Sequence, residues 1–179
     1  IACGGAGRVS EVTMGLIPFL SGAYMLISVV ILIRNGSRIP GVLQDIFSAG
    51  LSFHAAAGGV TGFAVNRAIR FGVTRGIFSN EAGCGTSPTA HAAANTKSAH
   101  HQGCFGIFEV FADTIVLCTM TALVILLSDG VGRGMDGIPL TLYAYTSLAG
   151  KGAGIFIGIS VILFAFATVI CQTQYGTVA

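Results

Sequence analysis

Long apolar runs separated by short polar turns dominate the pattern of this chain. The first run, at about residues 13–33, contains no charged residue. About 20 such residues cross roughly 30 Å of hydrocarbon as a helix. Further apolar runs lie at about 103–127 and 152–172. The pattern therefore predicts an all-α polytopic membrane protein that forms a single membrane domain.

A second apolar segment, at about 40–72, carries a cluster of small residues in its middle. Residues 55–62 read AAAGGVTG, with three glycines and one larger aliphatic residue, Val60. Glycine in a helix interior costs about 1 kcal/mol relative to alanine. The segment is therefore predicted to be two half-helices joined by an unwound stretch near 55–62.

This predicted break has the chemistry of a binding site for a free amino acid. An unwound stretch in mid-membrane exposes backbone N–H and C=O groups that lack helical partners. A half-helix N-terminus favours a carboxylate, and freed carbonyls favour an ammonium group or Na⁺. Gly58 and Gly59 leave space for a ligand to reach the backbone. The alternative is close helix packing, because Gly58 and Gly62 are four residues apart.

Two acidic residues, Glu109 and Asp113, lie one helical turn apart in the third apolar run. Intramembrane acids are costly and are usually functional or paired. Glu109 is close enough to the predicted end of the run to be solvated, whereas Asp113 is deeper. The predicted partner of Asp113 is a cation, a helix N-terminus or an arginine such as Arg75, with structural pairing favoured over ion coordination.

Composition supports a membrane protein and excludes several other classes. Hydrophobic residues make up 53% of the chain and charged residues 9%, with a mean hydropathy of +0.82, whereas soluble domains carry about 25% charge. The net charge of +2 and the lack of a basic run argue against a nucleic-acid partner. The five cysteines have no C-x-x-C spacing and are predicted to be free thiols. No nucleophile, base and orienting group share a plausible cleft, so an enzyme is not expected.

A polar, glycine-rich block at 75–88 separates the second and third apolar segments and reads RGIFSNEAGCGTSP. It resembles the signature of the sodium:alanine symporter family, the alanine or glycine:cation symporters. Residues 55–62, 108–114 and 163–168 resemble neighbouring parts of the family pattern, in order and without large gaps. The resemblance therefore extends over nearly all 179 residues.

The resemblance implies a fold and a function. The fold is the leucine-transporter-like one, with two inverted repeats of five helices. The chain would be a fragment holding the last helix of the first repeat and the first three of the second, with the rest of the transporter chain missing. The function is symport of alanine or glycine with Na⁺ across the plasma (inner) membrane, with no cofactor and no metal other than sodium. The expected partners are the amino acid and the lipid bilayer.

The resemblance also implies two ligand sets. The substrate set consists of Ala57, Gly58, Gly59 and Thr61. The sodium set consists of Phe164, Ala167 and Thr168, because residues 167–168 match a family pair usually written Ser-Thr. Ala167 departs from that pair and removes one hydroxyl, which puts strong sodium binding in doubt. The alternative for Thr168 is a hydrogen bond within its own helix.

A polar network at the cytoplasmic mouth is predicted from the block and the third apolar run. Its members are Arg75, Asn80, Glu81 and Asp113, acting either as a gate or as a structural anchor of the loop. The predicted loops on the side of the block carry five Lys and Arg, and those on the opposite side carry four. This small excess predicts that the block lies on the cytoplasmic side. Two alternatives to sodium symport stay open. One is a proton-coupled transporter of the same fold, favoured by Asp113 and Ala167, and the other is a non-transporting membrane subunit.

Overall fold

The structure is a computed structural model that describes residues 5–51, 59–81, 83–92 and 94–178. Every regular element in those ranges is helical, which confirms the predicted all-α class. Within the part of the chain that the structure describes, three helices are long and apolar enough to cross a membrane, namely Gly15–Arg34, Ala99–Leu127 and Lys151–Thr173. They overlap the first, third and fourth predicted apolar segments.

The helices follow one another with short connections. They are α1 (Gly5–Arg34), a 3₁₀ turn (Gly36–Arg38), α2 (Ile39–Leu51), α3 (Gly59–Asn80), α4 (Thr86–Ala92), α5 (Ala99–Val110), a π-helical segment (Phe111–Leu117), α6 (Cys118–Leu127), α7 (Gly137–Ala149) and α8 (Lys151–Val178). The helix α5, the π segment and α6 run on without interruption from residue 99 to residue 127. Pro18 lies inside α1.

The second predicted segment corresponds to two separate helices, α2 and α3. Residues 52–58 lie between them and outside the described ranges, so the predicted substrate residues Ala57 and Gly58 are outside as well. Gly59 is the first residue of α3, and nothing is described of the Thr61 side chain. Residues 59–62 belong to α3, so the unwound stretch predicted near 55–62 stays a prediction for residues 55–58. The helix α3 continues past the predicted end at residue 72 as far as Asn80.

Contacts divide the chain into two compact units, with boundaries after Gly36 and after Thr119. One unit contains α1, most of α6, α7 and α8, and the other contains α2 to α5 with the π segment. The first unit has a buried apolar cluster to which these four helices contribute. Its members are Ile31, Val124, Ala144, Tyr145 and Ile157.

Hydroxyl groups cross-link the same unit beside the apolar cluster. The hydroxyls of Ser28 and Tyr145 are 2.6 Å apart, and those of Tyr24 and Thr121 are 2.5 Å apart. The two tyrosine rings are 5.6 Å apart between centroids. Burial raises the pKa of the Tyr145 hydroxyl, so it stays protonated and can donate a hydrogen bond. These bonds satisfy polar groups that would otherwise be costly to bury.

The glycines at 150, 154 and 158 bring α7 and α8 into close contact. Gly150 ends α7 with a φ of +91°, a conformation that favours glycine. A Cβ atom added at Gly154 would overlap the Thr146 hydroxyl and lie 3.2 Å from Thr146 Cβ. A Cβ at Gly158 would lie 3.6 Å from Leu142, which is an ordinary contact. The glycine ridge therefore packs against the Leu142 and Thr146 side of α7.

Candidate functional site

The polar block begins where α3 ends. Glu81 has a φ of +54°, and left-handed backbone is uncommon for a residue other than glycine. The Glu81 N–H donates to the Ile77 carbonyl at 3.0 Å, and this hydrogen bond caps the C-terminal end of α3. The Glu81 carboxylate accepts a hydrogen bond of 2.5 Å from the hydroxyl of Thr86, the first residue of α4. Glu81 thus links the end of α3 to the start of α4.

Two consecutive residues at the end of α3 contact two consecutive residues of the π segment. The Ser79 hydroxyl donates to Oδ2 of Asp113 at 2.5 Å. The Asn80 amide donates to the Thr114 hydroxyl oxygen at 2.8 Å and to the Gly76 carbonyl at 3.0 Å. These side chains join the sequence block to the middle of the long helix at 99–127.

The π-helical segment widens the long helix at this junction. The Cys118 N–H donates to the carbonyl of Asp113, five residues earlier, instead of the usual four. Wide turns of this kind are rare and are often found at functional sites. The π-helical segment was not predicted from the sequence. Its only local signal is the run of β-branched residues Thr114, Ile115 and Val116, whose stiff side chains crowd an α-helix.

The predicted polar network is partly brought together. Asn80 and Asp113 meet at the same junction through Thr114 and Ser79. Arg75 is exposed, and among the described residues no carboxylate lies within ion-pair distance of its side chain. The structure therefore gives Asp113 a hydroxyl partner where an arginine was one of the candidates.

Glu109 belongs to a second contact that the sequence did not indicate. Its carboxylate lies 3.2 Å from Nε2 of His91, and the Gln102 amide nitrogen lies 2.8 Å from Nδ1 of the same ring. The ring lies over Gly106, where an added Cβ would be 3.4 Å from Nε2. The His91 side chain thus links α4 to α5. The spacing of Gln102, Gly106 and Glu109 along one helix face was the available signal.

The predicted sodium residues lie on one turn of α8. The Thr168 hydroxyl donates to the Phe164 carbonyl at 2.9 Å, as the alternative interpretation of this threonine expected. Ala167 is buried. The Thr168 hydroxyl gives its hydrogen to this bond and keeps two lone pairs, which leaves its oxygen able to bind a cation.

Comparison with known proteins identifies the class of this helical membrane chain as a transporter. A family model described as the sodium:alanine symporter family matches residues 1–179. The chain belongs to the sodium:alanine symporter family. Because that family consists of transporters, the expectation that the chain is not an enzyme is confirmed.

Three relatives show the extent of the similarity. "Uncharacterized transporter YflA" from Bacillus subtilis (strain 168) is 35% identical over 98% of this chain and 38% of its own length. "Amino-acid carrier protein AlsT" from the same organism is 38% identical over 98% and 37%. "Sodium/alanine symporter AgcS" from Methanococcus maripaludis is 35% identical over 98% and 39%. The chain therefore spans less than two fifths of the length of these relatives.

Proposed function

We propose that the protein is a symporter in the plasma membrane that carries alanine or glycine together with Na⁺. The observation that carries this proposal is the family match over residues 1–179. Two similar proteins bear names of the same kind, a sodium/alanine symporter and an amino-acid carrier. The proposed architecture is the five-plus-five inverted repeat, in which α2 and α3 form the broken first helix of the second repeat.

The proposed substrate site lies at the start of α3. That helix begins at Gly59 and runs for 22 residues, and the N–H groups of its first turn have no acceptor within the helix. They carry the positive end of the helix dipole. A substrate carboxylate would bind these groups, with Ala57, Gly58, Gly59 and Thr61 lining the site. Small side chains there would leave room for alanine or glycine.

The proposed sodium site lies on α8. The carbonyl of Phe164, the backbone of Ala167 and the hydroxyl of Thr168 supply hard oxygen ligands of the kind that small cations prefer. The Thr168 hydroxyl is the only side-chain oxygen of the pair at 167–168. Further ligands would come from outside this turn.

Replacing Thr168 with valine is expected to raise the Na⁺ concentration for half-maximal alanine uptake at least about tenfold. Valine has nearly the same shape but no oxygen, and losing a hydrogen bond to a charged group costs about 1.5–3 kcal/mol. Ala167→Ser is expected to lower that concentration because it adds a hydroxyl. The measurement is uptake of labelled alanine by the full-length protein at graded Na⁺ concentrations.

Thr173→Val is the matched control for this pair of variants. The Thr173 hydroxyl donates within α8 in a similar way, to the Ile170 carbonyl at 2.7 Å, but it lies outside the proposed sodium set. Its Na⁺ dependence is expected to equal that of the parent. If both Thr168→Val and Ala167→Ser show the same dependence of uptake on Na⁺ concentration as the parent, the coupling ion does not bind on α8.

The proposed gate is the junction between α3 and the π segment. Opening it would break the Ser79–Asp113 and Asn80–Thr114 hydrogen bonds. Hydrogen bonds of this kind contribute about 0.5–3 kcal/mol each. That range suits a contact that opens and closes reversibly. Because the Glu81 carboxylate is hydrogen-bonded to Thr86, a motion at the end of α3 would also move the start of α4.

The substrate class is tested by competition. Uptake of labelled alanine by the full-length protein in Na⁺ medium is measured with an excess of unlabelled alanine, glycine, glutamine or leucine. The proposal predicts competition by alanine and glycine. Glutamine is the second candidate substrate, because a 38% identical relative is named "Probable sodium/glutamine symporter GlnT". Competition by glutamine but not by glycine would reassign the substrate.

A further inference from the structure

Asp113 lies at the centre of an apolar helix that is long enough to cross a membrane. The helix runs from Ala99 to Leu127, so fourteen residues, or about 21 Å, separate Asp113 from either end. Acidic side chains at such a depth are costly when ionised, and they typically face a partner or a transport pathway. The ionised carboxylate of Asp113 therefore requires a positively charged partner.

The described residues supply Asp113 with a hydroxyl and no positive charge. Oδ2 accepts the Ser79 hydrogen bond, and no Lys, Arg or His in the described ranges lies within ion-pair distance of the carboxylate. Glu109, four residues earlier on the same helix, has His91 as a cationic partner when the ring is protonated. The two acids therefore differ, because the deeper one lacks a countercharge from the described residues.

Two hydroxyl oxygens lie at this junction, and one of them, that of Ser79, contacts the carboxylate. Ser79 gives its hydrogen to Asp113 and keeps lone pairs on its oxygen. Thr114, the next residue, accepts from Asn80 and retains a second lone pair. The π segment widens the helix at the same residues. Carboxylate and hydroxyl oxygens are the ligands that hard cations bind.

We propose that the Asp113 carboxylate, with the hydroxyl of Ser79, binds a monovalent cation, either Na⁺ or H⁺. The site lies on α3 and the π segment and is additional to the proposed sodium site on α8. It rests on the cation coupling of the proposed function and is independent of which amino acid is carried. Cation binding here would replace the missing countercharge and hold the α3 junction closed.

Few other titratable groups face this site. The Cys118 sulfur lies 3.5 Å from the Ser79 hydroxyl oxygen, and Cys118 follows Asp113 by five residues in the same helix. Arg75 lies one turn before Ser79 on α3 and is exposed. Among the described residues neither contacts the Asp113 carboxylate. Changes in cation binding near Asp113 can therefore be assigned to this carboxylate by mutation.

The test measures thermal unfolding of the purified full-length protein without amino acid. Na⁺ is titrated against choline at constant ionic strength, and the titration is repeated over a range of pH. If the cation is Na⁺, Asp113→Asn is expected to need at least about tenfold more Na⁺ for half-maximal stabilisation. If the cation is H⁺, the pH dependence of the unfolding temperature is expected to be weaker in Asp113→Asn than in the parent, while its Na⁺ dependence remains.

Two further variants make the outcome decisive. Glu109→Gln removes the other carboxylate of the same helix, together with its His91 contact, and is expected to keep the Na⁺ dependence of the parent. Ser79→Ala retains the carboxylate, loses one ligand, and is expected to weaken cation stabilisation, which keeps the test valid if Asp113→Asn fails to fold. Parental dependence on both cations in folded Asp113→Asn or Ser79→Ala, even with a lower unfolding temperature, would overturn the site and leave Asp113 a structural role. A parent protein that responds to neither cation would instead contradict the coupling in the proposed function.

Discussion

Replacing Gly154 with alanine is expected to destabilise the protein by about 1–2 kcal/mol, because overpacking costs about 1–3 kcal/mol and the higher helix propensity of alanine offsets up to about 1 kcal/mol of it. The new methyl group would overlap the hydroxyl of Thr146 and lie 3.2 Å from its Cβ. Rotating the Thr146 side chain relieves only the first contact, so α7 must move away from α8. The change is measured as the free energy of unfolding, or as the loss of unfolding temperature, of the full-length protein.

Gly158→Ala is the matched control on the same ridge. Its methyl group would lie 3.6 Å from Leu142, at ordinary contact distance. Alanine also has a higher helix propensity than glycine, so this variant is expected to be as stable as the parent or more so. Adding Thr146→Ala to Gly154→Ala is expected to recover part of the loss. Equal stability of the Gly154 and Gly158 variants would contradict the close packing of α7 on α8.

Replacing Gly59 with leucine is expected to reduce alanine uptake by the full-length protein to background. In the proposed site, the substrate lies against the backbone at the start of α3, where Gly59 is the first helical residue. A leucine side chain would occupy the space needed by the ligand. Uptake is measured beside the amount of protein in the membrane, which is expected to be unchanged.

Gly72→Leu is the control for this substitution. It makes the same change in the same helix, at a position where an added Cβ meets no described atom within 4 Å. Uptake by this variant is expected to stay near the parental level. Normal uptake by Gly59→Leu would exclude the start of α3 as the substrate site.

The helices were predictable because their signal lies in short stretches of sequence. The uncharged run at 13–33 and the apolar runs that follow report directly which residues are able to enter a membrane. The repeat of Gly150, Gly154 and Gly158 is likewise visible in the sequence, and such a repeat is typical of a close helix contact. The sequence did not show that α7 would be the neighbour, because that depends on the turn at Gly150.

The polar junctions were less predictable because they join residues far apart in the sequence. Ser79 and Asp113 are separated by 34 positions, and their contact depends on how α3 and the π segment pack. The acid at position 113 was recognised from its depth alone, but its hydroxyl partner was not. Similarly, the position of His91 between Gln102 and Glu109 depends on how α4 packs against α5.

The most direct measurement of the central claim is alanine accumulation in liposomes that contain the full-length protein. An inward Na⁺ gradient is imposed without a pH gradient, and a pH gradient is imposed separately without Na⁺. The second condition is needed because one relative is named "Putative sodium/proton-dependent alanine carrier protein YrbD". Sodium symport predicts that the alanine concentration inside the liposomes rises above the outside concentration when only the Na⁺ gradient is imposed. Accumulation driven by the pH gradient and not by Na⁺ would contradict it.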